Sequence, residues 1–166
     1  MSELKANIDA RFLRMPFDVL NSHALRVLNI HEVRVLRRIE IEHVAKRGKQ
    51  NGKLIVTFAD FEAHGVQKKQ IGPALRVLQA LGLVEQTHQG RGGNREYRSP
   101  HQWRITYLET FDGSKRCVAT HDWLKVASVA QAKALIQEHR AVDKRARKRP
   151  AKRRRQVLAT MELTTT

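Results

Sequence analysis

Three groups of side chains in this chain have the type and spacing to hold an anionic polymer. The first is Gln67-Lys68-Lys69-Gln70, followed at helical spacing by Arg76 and Gln79. On one side of a helix, lysines capture phosphate oxygens, while arginine and glutamine match guanine and adenine edges in a major groove. The second is Gly90-Arg91-Gly92-Gly93-Asn94-Arg95, where glycine supplies backbone freedom and Arg91 and Arg95 supply charge. Such a loop can enter a narrow minor groove or clamp a backbone. The third places nine basic residues in the twelve positions 144–155, among them Lys148, Arg149, Arg153 and Arg154. Charge of that density adds affinity by counterion release, with little regard to base sequence.

Bond-breaking chemistry finds no comparable pattern. The sequence has no Walker phosphate loop, no His-x-His metal pair and no Cys/His spacing suited to zinc. Its eight histidines follow no ligand rhythm, and Tyr97 and Tyr107, the conceivable strand-transfer nucleophiles, have no metal-binding companions. The expectation is a protein without catalysis, cofactor or metal. Cys117 is the single cysteine, which suits a reducing compartment. The first residues lack an apolar leader, and nowhere do about 18 apolar residues run together. A cytoplasmic, nucleoid-associated bacterial protein is expected, without membrane contact.

The formal net charge is +16 over 166 residues, and its placement matters more than its sum. Residues 1–126 carry 21 basic and 13 acidic side chains, against 11 and 3 in residues 127–166. Each part is therefore positive by the same amount. A solubilising surface with a charged tail would account for the numbers. Nucleic acid accounts better for positive charge in both parts with no lipid anchor beside it.

These groups need elements to position them. Residues 1–10 read as a flexible terminus, and Pro16 breaks the apolar strap that follows. Ser22–Leu28 reads as a short helix, with Ala24, Leu25 and Leu28 on one side. Asn29 and Glu32 have capping-box spacing, so a helix should run to about Lys46, its inward side marked by Val33, Leu36, Ile39 or Glu40, and Val44. His31 and His43 on that helix read as solvated or half-buried. Asn51-Gly52 stops the chain before a short strand at Leu54–Thr57. Thr57 caps a brief helix with Phe58 and Phe61 to bury, and Gly65 ends it.

The next helix carries an apolar stripe of Ile71, Ala74, Leu75, Leu78 and Leu81, opposite Lys69, Gly72, Pro73, Arg76 and Gln79. A proline deep in a helix costs roughly 3 kcal/mol, so Pro73 should fall in the first turn, with the start nearer Lys69 or Gln70 than Gln67, or with an irregular opening turn. Leu83–Gln89 and Gln102–Leu108 alternate like half-buried strands, making a hairpin across the glycine-rich loop. Trp103 and Tyr107 share a strand face, and burial suits them better than base stacking. Residues 109–127 read as a connecting loop. Ser128 and Gln131 open a C-terminal helix over 128–142, whose Ala132, Leu135 and Ile136 suit packing back on the domain or a homodimer seam. Residues 143–166 read as a basic disordered tail.

The runs Ser22-His-Ala-Leu-Arg-Val-Leu, Arg34-Val-Leu-Arg-Arg-Ile, Asn51-Gly-Lys-Leu, Phe58-Ala-Asp-Phe, Ala74-Leu-Arg-Val-Leu-Gln-Ala-Leu-Gly-Leu-Val and Arg104-Ile-Thr-Tyr resemble winged helix-turn-helix DNA-binding proteins of bacterial plasmids, phages and mobile islands. That group includes the winged-helix domains of replication initiators. The resemblance spans residues 11–108 and departs at His31-Glu-Val-Arg, where relatives carry a Ser-Pro-Ala-like helix start. It implies a mainly α fold with a small β-hairpin (α+β), a winged helix-turn-helix followed by a C-terminal helix and tail. It also implies double-stranded DNA as partner. The helix at 69–81 would occupy the major groove, and residues 90–95 the minor groove or backbone. The expected activity is transcriptional regulation of a mobile or plasmid element. A replication-initiation protein binding origin repeats and a basic RNA-binding protein are the alternatives.

Overall fold

The computed structural model describes residues 11–90, 99–112 and 115–140. Two one-turn helices, α1 (Phe17–Leu20) and α2 (His23–Arg26), lead into the long α3 (Ile30–Ala45). Asn29 caps α3: its side-chain oxygen accepts from the amides of His31 and Glu32, while Glu32 accepts from the Asn29 amide at 2.8 Å. A cap of this kind contributes about 1 kcal/mol. Strand β1 (Leu54–Ile55), α4 (Phe58–Ala63) and α5 (Lys68–Ala80) follow. Strands β2 (Val84–His88) and β3 (Gln102–Ile105) complete an antiparallel sheet in the order β1-β3-β2, with Leu54 opposite Trp103 and Val84 opposite Ile105. The arrangement is α+β.

The core forms where α3 and α5 pack on each other and on this sheet. Val35, Leu36 and Ile39 meet Ile71, Leu75 and Leu78, closed by Phe61, Leu54, Trp103 and Ile105. The inward side of α3 is rotated from the one that apolar spacing marks. Glu32, Val35, Leu36, Ile39, Glu40 and His43 are buried, whereas Val33 and Val44 are only half-buried. Buried acids are costly unless partnered, and both have partners. Glu40 accepts from the Tyr107 hydroxyl and from Arg37 at 2.8 Å. Glu32 accepts from Asn29 and from Arg140 at 3.0 Å. Strict apolar periodicity misses such positions because partners distant in sequence make them tolerable.

Residues 109–127 are not merely a connection. Strands β4 (Thr110–Asp112) and β5 (Lys115–Cys117) pair antiparallel, and a 3₁₀ turn at Asp122–Lys125 buries Trp123 and Val126 in the core. Hydrophobic burial within the 3₁₀ turn overrides its weak periodicity. Helix α6, the last among the described residues, covers 129–140 of them. Ser128 accepts from the Gln131 amide at 3.1 Å, and Ala132 and Ile136 are buried in the same core. In this chain α6 packs back on the body, so the core extends beyond residue 108. No described helix is long and apolar enough to cross a membrane.

Candidate nucleic-acid interface

The helix pair α4–α5 is set by local chemistry. Thr57 accepts from the Asp60 amide at 3.2 Å while Asp60 accepts from the Thr57 amide at 2.7 Å, closing a second capping box. The hydrogen bonds from Thr57 hold the Asp60 carboxyl below its usual range. Gly65 turns the chain out of α4 at φ +82°, a left-handed conformation that disfavours side chains. The Arg34 guanidinium of α3 donates to the Gly65 carbonyl at 2.8 Å. That bond anchors the turn to the long helix. Phe61 and Val66, buried on either side of the turn, fix the angle at which α5 leaves.

Helix α5 starts at Lys68, earlier than proline chemistry suggests, so Pro73 lies in its second turn rather than its first. Pro73 cannot donate to the Lys69 carbonyl, and burial of Ile71, Ala74, Leu75, Val77 and Leu78 carries the helix past that defect. Tertiary packing outweighs local propensity here. Gln67, Lys68 and Lys69 are exposed, and Gln70, Gly72, Pro73, Arg76 and Gln79 are half-exposed. The outward flank carries small residues, Gly72 and Pro73 near its middle and Ala80 at its end. A Cβ added at Gly72 would stand 3.5 Å from an Arg76 guanidinium nitrogen, so the arginine folds back across the glycine. Gln79 donates its amide to the Leu75 carbonyl at 3.2 Å, which turns that donor along the helix.

Beside this flank, β2 and β3 lead to the Gly/Arg loop. Arg91 and Arg95, like Lys148, Arg149, Arg153 and Arg154, lie outside the described residues. The base of the loop is described and is tightly built. A Cβ at Gly90 would come 2.5 Å from the Ser99 carbonyl oxygen, so only glycine fits. The Gly90 amide donates to His101 Nδ1 at 3.1 Å, and the Gln86 side-chain amide lies 2.6 Å from the same nitrogen. Because Nδ1 accepts the Gly90 bond, the neutral His101 ring carries its proton on Nε2. A register shift between Gln86 and His88 lets Thr87 donate to the Gly52 carbonyl at 2.6 Å.

Sequence reasoning brought together the α5 residues and missed their supports. Arg34 reads as one cation among several on α3, and nothing local marks it as the clamp on Gly65. Asn51 reads as half of an Asn-Gly turn, yet it is buried and ties three segments. Its amide donates to the carbonyls of Ile105, Leu108 and Glu109 at 2.8–3.0 Å, and its oxygen accepts from the Ile105 amide at 2.7 Å. Burial drives the Tyr107 hydroxyl well above its ordinary range, and the neighbouring Glu40 charge adds to the effect. Burial likewise raises the Glu40 carboxyl, against the opposing pull of Tyr107 and Arg37. These perturbed groups are buried within the α3–β3 core, and their hydrogen bonds are structural. Among the described residues no group of His, Cys, Asp and Glu is placed to hold a metal ion. No family model, curated protein or solved structure matches the chain.

Proposed function

We propose that the chain is a winged helix-turn-helix protein that binds double-stranded DNA in a sequence-specific manner, acting as a regulator of a mobile or plasmid element. It needs neither catalysis nor cofactor for this role. The element order α3-β1-α4-α5-β2-β3 and the sheet order β1-β3-β2 support the winged reading. In it, α4 braces α5, α5 enters the major groove, and the β2–β3 connection is the wing.

One observation carries the functional reading. The outward flank of α5 combines exposed Lys68 and Lys69 with the small residues Gly72, Pro73 and Ala80, and with Arg76 across its middle. Small residues permit the helix backbone to approach a sugar–phosphate chain, and arginine is the commonest reader of guanine. In this reading Lys68 and Lys69 hold phosphates, Gln67 and Gln70 reach bases or phosphates at the helix start, and Arg76 reads the groove. Arg91 and Arg95 hold the adjacent minor groove or backbone, while Lys148, Arg149, Arg153 and Arg154 add affinity independent of sequence.

The test is selection of bound fragments from random duplex DNA by the full chain, followed by footprinting of the enriched site. A defined protected site is expected, with Arg76→Ala lowering binding to it far more than binding to random duplex. Enrichment of no sequence, or preference for structured RNA over duplex DNA at equal salt, would overturn the proposal.

A further inference from the structure

A second charged surface lies away from α5. A groove of about 690 Å³ opens between the strap at residues 11–16, the C-terminal end of α3 and the β4–β5 hairpin. Its rim carries Arg11, Arg14, Arg47, Lys49 and Arg116, against the single carboxylate Glu109. That carboxylate is already engaged, since Arg116 donates to both of its oxygens. Most of the remaining lining is apolar, with Phe12, Leu13, Val44, Leu108 and Phe111 beside His43 and Tyr107. Phe12 is 70% exposed and carries the Arg14 guanidinium 5.6 Å from its ring centroid.

The position of the groove follows from strand register. Ile55 pairs with Gln102 at the end of β3 next to the Gly/Arg loop, whereas Leu108 and Glu109 follow the opposite end of that strand. No residue of α5 lines the groove. DNA seated on α5 therefore leaves it open.

Its chemistry discriminates between classes of occupant. A rim of cations alone would suit any polyanion. A concave apolar floor beneath that rim gives a duplex backbone little to contact, because duplex DNA is convex and polar outside. An extended peptide carrying Asp or Glu beside Phe or Leu would satisfy both features, with apolar anchors in the floor and carboxylates at Arg47 and Lys49. The volume falls within the roughly 300–1,000 Å³ of ordinary ligand pockets. We propose that this groove is a docking site for an acidic, apolar-anchored peptide segment of a partner protein, and that it works while α5 is occupied.

The experiment measures anisotropy of a fluorescein-labelled peptide of Asp and Glu with two Phe anchors, titrated with the full chain. A peptide with Ser in place of Phe controls for attraction to the basic tail. The expected result is that the Ser peptide and the Arg47→Glu/Lys49→Glu double variant each bind at least about tenfold more weakly. The Phe12→Ser variant, altered at an exposed side chain, loses affinity in the same direction. Binding of a random duplex at low salt changes no more than about threefold in the double variant, and excess duplex does not displace the peptide. Equal binding of the Ser peptide, or displacement by duplex, would overturn the proposal. So would a tenfold gain in peptide affinity on deleting residues 2–10, which would make that segment the occupant.

Discussion

The outward flank of α5 and the buried seam between α3 and β3 draw on the same kinds of residue and use them in opposite ways. Along the seam, Asn51, Glu40 and Tyr107 are sequestered, and each is hydrogen-bonded within the chain. On α5, Lys68 and Lys69 stand in solvent around a strip of small residues. Polar side chains spent inside hold elements in place. Polar side chains left outside, around a surface kept low, are what a partner can contact. Polarity alone therefore does not mark a binding site, and burial separates the two roles.

The comparison can be broken most sharply at Asn51. Asn51→Ala removes one acceptor and a donor shared among three carbonyls, and should lower unfolding free energy in urea by about 3 kcal/mol or more. Near-wild-type stability would mean that the seam is not held by its polar groups. Gly82→Ala should follow in size. Gly82 sits at φ +69°, and an added Cβ would lie 2.6 Å from the Asp122 carbonyl carbon, so a loss of about 2 kcal/mol is expected from thermal or urea unfolding.

On the other side of the comparison, Arg76→Ala should leave the melting temperature within a degree or two. It should weaken binding to a selected duplex site by about 1–3 kcal/mol, with a much smaller effect on random duplex. Lys68→Ala and Lys69→Ala should weaken all duplexes alike, each reducing the slope of log affinity against log salt by about one. A smaller effect is expected at His43. Burial lowers its pKa from the ordinary 6.5. Between that value and the lowered one, the unfolded chain binds more protons than the folded chain, so stability falls as pH drops through this window. His43→Leu should remove that component, read as a flatter profile of melting temperature against pH.

Legibility in the sequence followed the range of the interactions. The caps at Asn29 and Thr57 and the stop at Gly65 were readable because each is decided within a few residues. The inward stripe of α5 was readable because burial repeats at helical spacing. Local cost at Pro73 argues for a start at Lys69 or Gln70, whereas α5 begins one residue earlier, at Lys68, because five buried side chains on the same helix outweigh that cost. Glu32 is legible as a cap and Glu40 as a stripe position, but their buried pairing is not, because the partners Arg140 and Tyr107 lie 108 and 67 residues away. Residues 109–127 read as a loop because Trp123, Leu124 and Val126 follow no helix or strand period, and which of them is buried is decided only against the finished core. The outward polar residues of α5 are legible as a cluster, whereas Arg34 and His101, which hold the turn and the loop base, are not. Their bonds, to Gly65 and Gly90, are fixed only by the tertiary arrangement.

Substitution at Gly72 tests the central claim most directly, because there the needs of the fold and of DNA binding part company. A Cβ at this position makes only ordinary contact, 3.5 Å from Arg76, and replacing a helical glycine by leucine gains up to about 0.8 kcal/mol of helix propensity. Gly72→Leu should therefore melt at or above the wild-type temperature while losing at least about tenfold in affinity for the selected duplex. An equally stable Gly72→Leu protein that binds that duplex as tightly as wild type would contradict the placement of α5 against DNA.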